Sequence, residues 1–319
     1  MEFGLSLPVR GPLARPDLIA RLAAKAEALG YSSLFVSDHV VLPARSRSVY
    51  PYHPAGEFPG GFRQDYLEPL ALLGYLAGRT RRIRLGTSVL IVPYRNPVVT
   101  AKQLATLDVL SGGRLIVGCG AGWLEEEFRA LAAPPFAERG RVTDEYLRLM
   151  KTLWTEDAPK FEGRYYQVSE VHFLPRPRQK PHPPLWIGGH TEPALRRAAE
   201  LGDAWHPIGL RPPALLHPPE YARAVERLHG YARAGGRDPG AIALTFRAPL
   251  QLWGPREKSP GETGLLKGTA EAVTRDIRSY QAVGVRHFVF DLPGPDPKAM
   301  VETMERFAEE VRPRVARAR

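Results

Sequence analysis

The sequence predicts an α/β protein, a (β/α)8 TIM barrel. Two observations predict it: eight short apolar, β-branched runs, and amphipathic helical patterns spaced between them. The runs are FGLSL (3–7), SLFVS (33–37), IRLGTSVLIV (83–92), RLIVG (114–118), PLWIG (184–188), DAWHPI (203–208), IALTFRAPLQL (242–252) and HFVFDL (287–292). Before the second run, Leu18, Ile19, Leu22, Ala23, Ala26 and Leu29 recur at helical spacing and stop at Gly30, a natural C′ glycine. Comparable patterns fill LEPLALLGYLAG, PVVTAKQLATLDVLSG, TDEYLRLMKTLW, EPALRRAAELG, PEYARAVERLHGYA, AEAVTRDIRSYQAVG and PKAMVETMERFAEEV, with Pro97 and Pro193 near helix starts, where proline is tolerated. Counting elements leaves an open doubly wound sheet as the alternative, but no G-x-G-x-x-G follows the first strand.

A chain of 319 residues can form one such barrel, so a single domain over 1–319 is expected. Three segments break the rhythm, near 40–66, 156–183 and 254–268, and are read as insertion loops at the C-terminal face. Composition is that of a globular protein, 44% hydrophobic and 24% charged. No run resembles a membrane span and MEFGLSLPVRG reads as a strand rather than a signal peptide, so a soluble cytoplasmic protein without membrane association is expected. The single cysteine, Cys119, excludes an internal disulfide framework, and no cluster with metal-ligand spacing accompanies it, so no metal is expected.

Forty-four basic against 34 acidic residues give a formal charge of +10. Arginine is spread along helices rather than gathered into a stripe, which argues against nucleic acid as a partner. A positive field suits an anionic cofactor or substrate, and a solvated basic surface explains the same count.

In a barrel of this class the site lies at the carboxyl ends of the strands. Asp38 and His39 end the second strand; Thr87 and Ser88 lie in the third; Gly118, Gly120 and Gly122 end the fourth; Gly188, Gly189 and His190 end the fifth; Asp291 ends the eighth. His39 there is a candidate acid or base, or a loop residue bonded to its own backbone. The glycines of GCGAGW let the backbone approach something bulky. In IGGHTEP two glycines precede a helix, which suits a phosphate and equally a tight turn.

The strings SLFVSDHVVLP, RIRLGTSVLIVPYRNPVVTAKQLATLDVLSGGR, GCGAGWLEEEF, AERGRVTDEYLRLMKTLWTED and PPLWIGGHTEPALRRAAELGDAWHP resemble the bacterial luciferase-like superfamily, most closely its branch of oxidoreductases dependent on the deazaflavin coenzyme F420. The resemblance implies a barrel holding F420, or alternatively FMN, at its mouth, and a homodimer. His39 would meet the ring and serve as acid or base, with Asp38 orienting it. Thr87, Ser88 and Val89 would back the opposite ring face through a bulge, with a cis peptide between Ser88 and Val89. Gly120 would also border the cofactor, and Gly188, Gly189 and His190 would hold its phosphate. The loop carrying Tyr50, Tyr52 and Phe58 would close over the site, with Tyr50 and Trp123 walling the substrate pocket. Relatives that oxidise glucose 6-phosphate carry a catalytic glutamate at the position of Trp123, which argues against a sugar phosphate here.

Three functions are compatible with this reading. The first is F420-dependent hydride transfer to or from a small organic molecule, and the second a reduced-flavin monooxygenase on the same barrel. The third is a cofactor-binding protein without turnover, or a hydrolase using Asp38 and Asp291 as a carboxylate pair.

Overall fold

The computed structural model describes residues 1–253, 264–294 and 296–316. Eight parallel strands close into a barrel: Glu2–Ser6, Ser33–Val36, Arg84–Thr87, Leu115–Gly120, Leu185–Gly188, Ala204–His206, Ala243–Pro249 and His287–Asp291. Every neighbouring pair is parallel, and the third strand pairs with both the second and the fourth, so the order runs round without an edge. All eight strand runs of the sequence are therefore barrel strands. The run 83–92 is divided: Arg84–Thr87 gives way to a cis Ser88–Val89 peptide, and the strand resumes at Leu90–Ile91.

Helices Pro16–Ala28, Pro69–Arg79, Pro97–Ser111, Arg139–Thr155, Glu192–Leu201, Pro218–Ala234, Ala270–Ala282 and Pro297–Arg306 cover the outside. Local chemistry ends them where the sequence says it should: Gly30 is left-handed after the first, and Asn96 caps the third through bonds from Val98 N and Val99 N. Two elements were not legible in the sequence. A short helix, Glu125–Ala130, follows the fourth strand, and residues 156–183 contain a small hairpin of Phe161–Glu162 and Gln167–Val168. Of the third insertion, 254–263 lies outside the described residues. No helix among those described is long and apolar enough to cross a membrane.

Side chains plug the barrel. Phe35, Ile116, Trp186, Ala204 and Val289 form a cluster inside it, and the Trp186 ring stands 5.2 Å from Phe35, 5.2 Å from His206 and 4.9 Å from His287. Both histidines are buried. The space in which the third strand leaves its regular path is provided by glycine: a Cβ on Gly118 would lie 1.9 Å from the Thr87 carbonyl oxygen. That atom is backbone and cannot swing aside. Gly118→Ala is expected to cost at least about 3 kcal/mol, the upper end of overpacking, measured by urea unfolding. An unchanged midpoint would mean that the bulge moves freely.

Candidate active site

The carboxyl ends of the strands surround a cavity of about 310 Å³. Its lining includes Ser88, Val89 and Ile91 of the interrupted third strand, the rings of His39, Tyr50, Tyr52, Phe58, Tyr66 and Trp123, and the charged groups of Arg10, Arg211, Arg247 and Asp291.

His39 is held by a residue that the sequence did not single out. Its Nδ1 lies 2.5 Å from Glu127 Oε2, and the same carboxylate accepts from Val40 N at 2.6 Å, Val41 N at 3.1 Å and the Tyr94 hydroxyl at 2.9 Å. Four donors thus meet the four lone-pair directions of one buried carboxylate, which satisfies it as an anion. A carboxylate only accepts, so Nδ1 carries a proton and Nε2 is the nitrogen left for chemistry. Nε2 has no partner among the described residues, and His39 lines the cavity. The available signal was the run of three glutamates, Glu125 to Glu127, that follows GCGAGW by one residue.

Asp38 does not orient His39, contrary to expectation. Its carboxylate is gripped by the Arg95 guanidinium at 2.7 and 2.8 Å and accepts from Ile91 N at 2.8 Å. Both oxygens are spent on Arg95 and Ile91 N, and the residue fixes where the third strand resumes. Asp291 is likewise engaged by Arg247 at 2.7 Å and Arg211 at 2.9 Å. Burial would raise its pKa, but the two guanidiniums hold it well below the usual carboxylate range. Two carboxylates each bound by arginine do not form the acid–base pair of a hydrolase.

The predicted cofactor residues separate into two groups. Ser88 and Val89 line the cavity. Thr87 does not: it is buried and donates to Gly118 O at 2.7 Å. Gly120 does not open room for a ligand either, because a Cβ there would meet Val89 Cγ2 at 2.5 Å, just as one on Gly188 would meet Val89 Cγ1 at 2.8 Å. Both glycines make way for Val89, whose side chain packs between two strands because of them. Gly188, Gly189 and His190 are not in the cavity lining. Gly189 has φ +93°, and His190 Nδ1 is buried without a partner among the described residues, immediately before helix Glu192–Leu201. Burial lowers the His190 pKa.

Arg247 and His206 were also missed. Arg247 donates to the Ser88 carbonyl oxygen, to Ser88 Oγ at 3.0 Å and to Ser6 Oγ at 2.8 Å, besides Asp291. Ser88 Oγ lies 2.9 Å from His206 Nε2, and His206 Nδ1 lies 2.6 Å from Thr245 Oγ1. Thr245 gives its one proton to Trp205 O at 3.0 Å, so its oxygen accepts from Nδ1–H and Nε2 receives the Ser88 proton. The chain of bonds needs a neutral imidazole. Burial, reinforced by Arg247 and His287, pushes the His206 pKa down to about 3. The unfolded histidine titrates near 6.5, so the stability this network contributes is present above about 6.5 and is lost as pH falls toward 3. His206 is expected to show no ring titration between pH 8 and 5 by NMR; a midpoint near 6.5 would contradict the network.

The insertion 40–66 is tied down over the mouth. Glu126 accepts from Ser46 Oγ at 3.1 Å, Arg47 N at 2.7 Å and Ser48 Oγ at 2.7 Å. Burial raises its pKa, and these bonds outweigh that and lower it to about 2. The loop brings Tyr50 to 5.1 Å and Phe58 to 5.7 Å from Trp123, and Phe58 to 5.1 Å from His39, as ring centroids. Adjacent glutamates on one short helix thus hold the histidine and the loop above it.

The model of the luciferase-like monooxygenase family matches residues 1–259. An uncharacterised protein of Mycobacterium tuberculosis is 38% identical over 186 residues, 58% of this chain and 62% of that relative. An F420-dependent glucose-6-phosphate dehydrogenase of Amycolatopsis mediterranei is 28% identical over 94% of this chain and 95% of its own. An FMNH2-dependent dimethylsulfone monooxygenase of Pseudomonas putida is 31% identical over 58% of this chain and 52% of its own. Among solved structures, a monooxygenase of Streptomyces bottropensis superposes with a TM-score of 0.79 at 23% identity, covering 98% of this chain and 99% of that one. An F420-dependent secondary alcohol dehydrogenase superposes with 0.76 at 20%, covering 98% of each chain. At these identities the two structures establish the shared barrel.

Proposed function

The chain belongs to the luciferase-like monooxygenase family, and we propose that it is an oxidoreductase whose cofactor is F420 and that it moves a hydride between F420 and a small organic alcohol or its carbonyl product. The observation that carries this reading is the His39–Glu127 pair, which leaves Nε2 in the cavity with a lone pair suited to a hydroxyl proton. The F420-dependent relative aligns along nearly the whole chain, whereas the FMN-dependent one aligns over little more than half.

The residues fit such a cofactor. Ser88, Val89 and Ile91 offer a wall for one face of a flat ring, with His39 in the same cavity. Gly189, with φ +93°, and the unpartnered His190 Nδ1, just ahead of helix Glu192–Leu201, suit its phosphate. When bound, the deazaflavin supplies a carbon that accepts or releases hydride. Everything else falls to the chain. Glu127 fixes the His39 tautomer, Nε2 takes the hydroxyl proton in oxidation and returns it in reduction, and Tyr50, Phe58 and Trp123 keep water from the reacting atoms. Trp123 gives this chain an apolar wall in place of an acid, so a sugar phosphate is not the substrate proposed.

The second reading, reduced-FMN monooxygenation, rests on the Pseudomonas putida relative. Incubation with oxidised F420 and a panel of secondary alcohols tests the first: bleaching of the deazaflavin absorbance that His39→Ala slows by about 100-fold or more is expected. Oxygen uptake with reduced FMN, and no bleaching, would favour the second.

A further inference from the structure

The cavity lining combines aromatic rings, Tyr50, Phe58 and Trp123, with three guanidiniums, Arg10, Arg211 and Arg247, set against a single carboxylate, Asp291, because the other lining carboxylate, Asp38, is engaged by Arg95. The three arginines are not equally engaged. Arg247 is consumed by Asp291, Ser88 and Ser6. Arg211 makes one side-chain bond among the described residues, Nη2 to Asp291, and its side chain is one-third exposed. Arg10 likewise makes one, Nη1 to Pro59 O, while its guanidinium lies 4.9 Å from the Phe58 ring centre. Both therefore keep unspent N–H donors in the lining of the cavity. Guanidinium donors of this kind match a carboxylate, to which charge-assisted bonds are the strong ones.

We propose that the substrate is an organic carboxylate with a flat apolar body, its anionic group held by Arg211 and Arg10 and its body lying against Tyr50, Phe58 and Trp123. This deepens the hydride-transfer reading and rests on it for the reaction but not for the binding. The bound anion has two possible sources, the substrate or the acidic tail of the cofactor, and the two respond differently to the same variant. Arg211→Gln is clean, because Asp291 keeps Arg247 and is not orphaned.

Phenylacetate and its neutral isostere phenylacetamide serve as probes, with the intrinsic fluorescence of the purified protein as readout and no turnover required. Phenylacetate is expected to bind about tenfold more tightly than phenylacetamide, the size of one charge-assisted bond. Arg211→Gln is expected to abolish that preference, leaving phenylacetamide within about twofold, and Arg211→Lys to recover part of it. Equal affinity of the two probes, or a preference that survives Arg211→Gln, overturns the proposal. So does a second result: Arg211→Gln weakening F420 about tenfold while sparing the same deazaflavin stripped of its phosphate and glutamate tail, which would assign the arginine to the cofactor. A wild-type protein that prefers FMN to F420 overturns the reaction assigned above and leaves the probe comparison standing.

Discussion

Glu127→Gln lowers kcat/KM by about 10- to 100-fold, the usual effect of removing the group that orients a working histidine, and leaves a folded protein. The reason lies in hydrogen-bond direction. The glutamine amide oxygen can still accept from Val40 N and Val41 N, but its NH2 faces His39 Nδ1 and the Tyr94 hydroxyl, both of which now donate to Glu127. Nδ1 then becomes the acceptor and the proton moves to Nε2. Under the proposed hydride transfer the base in the cavity would be converted to a donor, so oxidation of an alcohol would suffer at every pH rather than through a displaced pH limb. Nitrogen NMR of histidine-labelled protein reads the tautomer directly, independently of substrate. A variant with unchanged kcat/KM and Nδ1 still protonated would return Glu127 to a merely structural role.

Arg247→Met is expected to cost about 3–5 kcal/mol of stability, the range found when one partner of a buried pair is removed. Arg247 binds Asp291 through two nitrogens, steadies both the carbonyl and the hydroxyl of Ser88, and reaches Ser6 across the barrel. Removal leaves Asp291 with Arg211 alone. The pH dependence carries a second signature. Asp291 is held below its ordinary value, so its contribution is full above about pH 4 and is lost as pH falls toward its folded pKa. In the variant this acid loss shrinks, because the folded pKa moves back toward the unfolded one. Denaturant unfolding at neutral and acid pH measures both effects. The double variant Arg247→Met, Asp291→Leu should recover much of the loss; a single variant within 1 kcal/mol of wild type would contradict the assignment.

The barrel was legible because strand runs and helical faces are local. A stretch such as HFVFDL declares itself without reference to the rest of the chain, and each of the eight runs overlaps a barrel strand. His39 was legible for the same reason, as a polar residue at the end of a strand. Glu127 and Arg247 were not, because their meaning depends on contacts 88 and 159 residues away, to His39 and Ser88. Asp38 misled by adjacency: next to His39 in the chain, its side chain leaves in the other direction, toward Arg95 and Ile91. The GCGAGW glycines misled in a related way. They signal close approach, and the group approaching Gly118 and Gly120 is the third strand itself, at Thr87 O and Val89.

A side-by-side titration of the purified protein with oxidised F420 and with FMN, followed by quenching of intrinsic fluorescence, tests the proposal that this mouth holds a deazaflavin. Tight saturable binding of F420, weak binding of FMN, and loss of F420 affinity in Gly189→Asp, which would put a carboxylate beside the proposed phosphate position, are expected. Tight FMN binding with weak F420 binding would contradict it and place the chemistry with the monooxygenases.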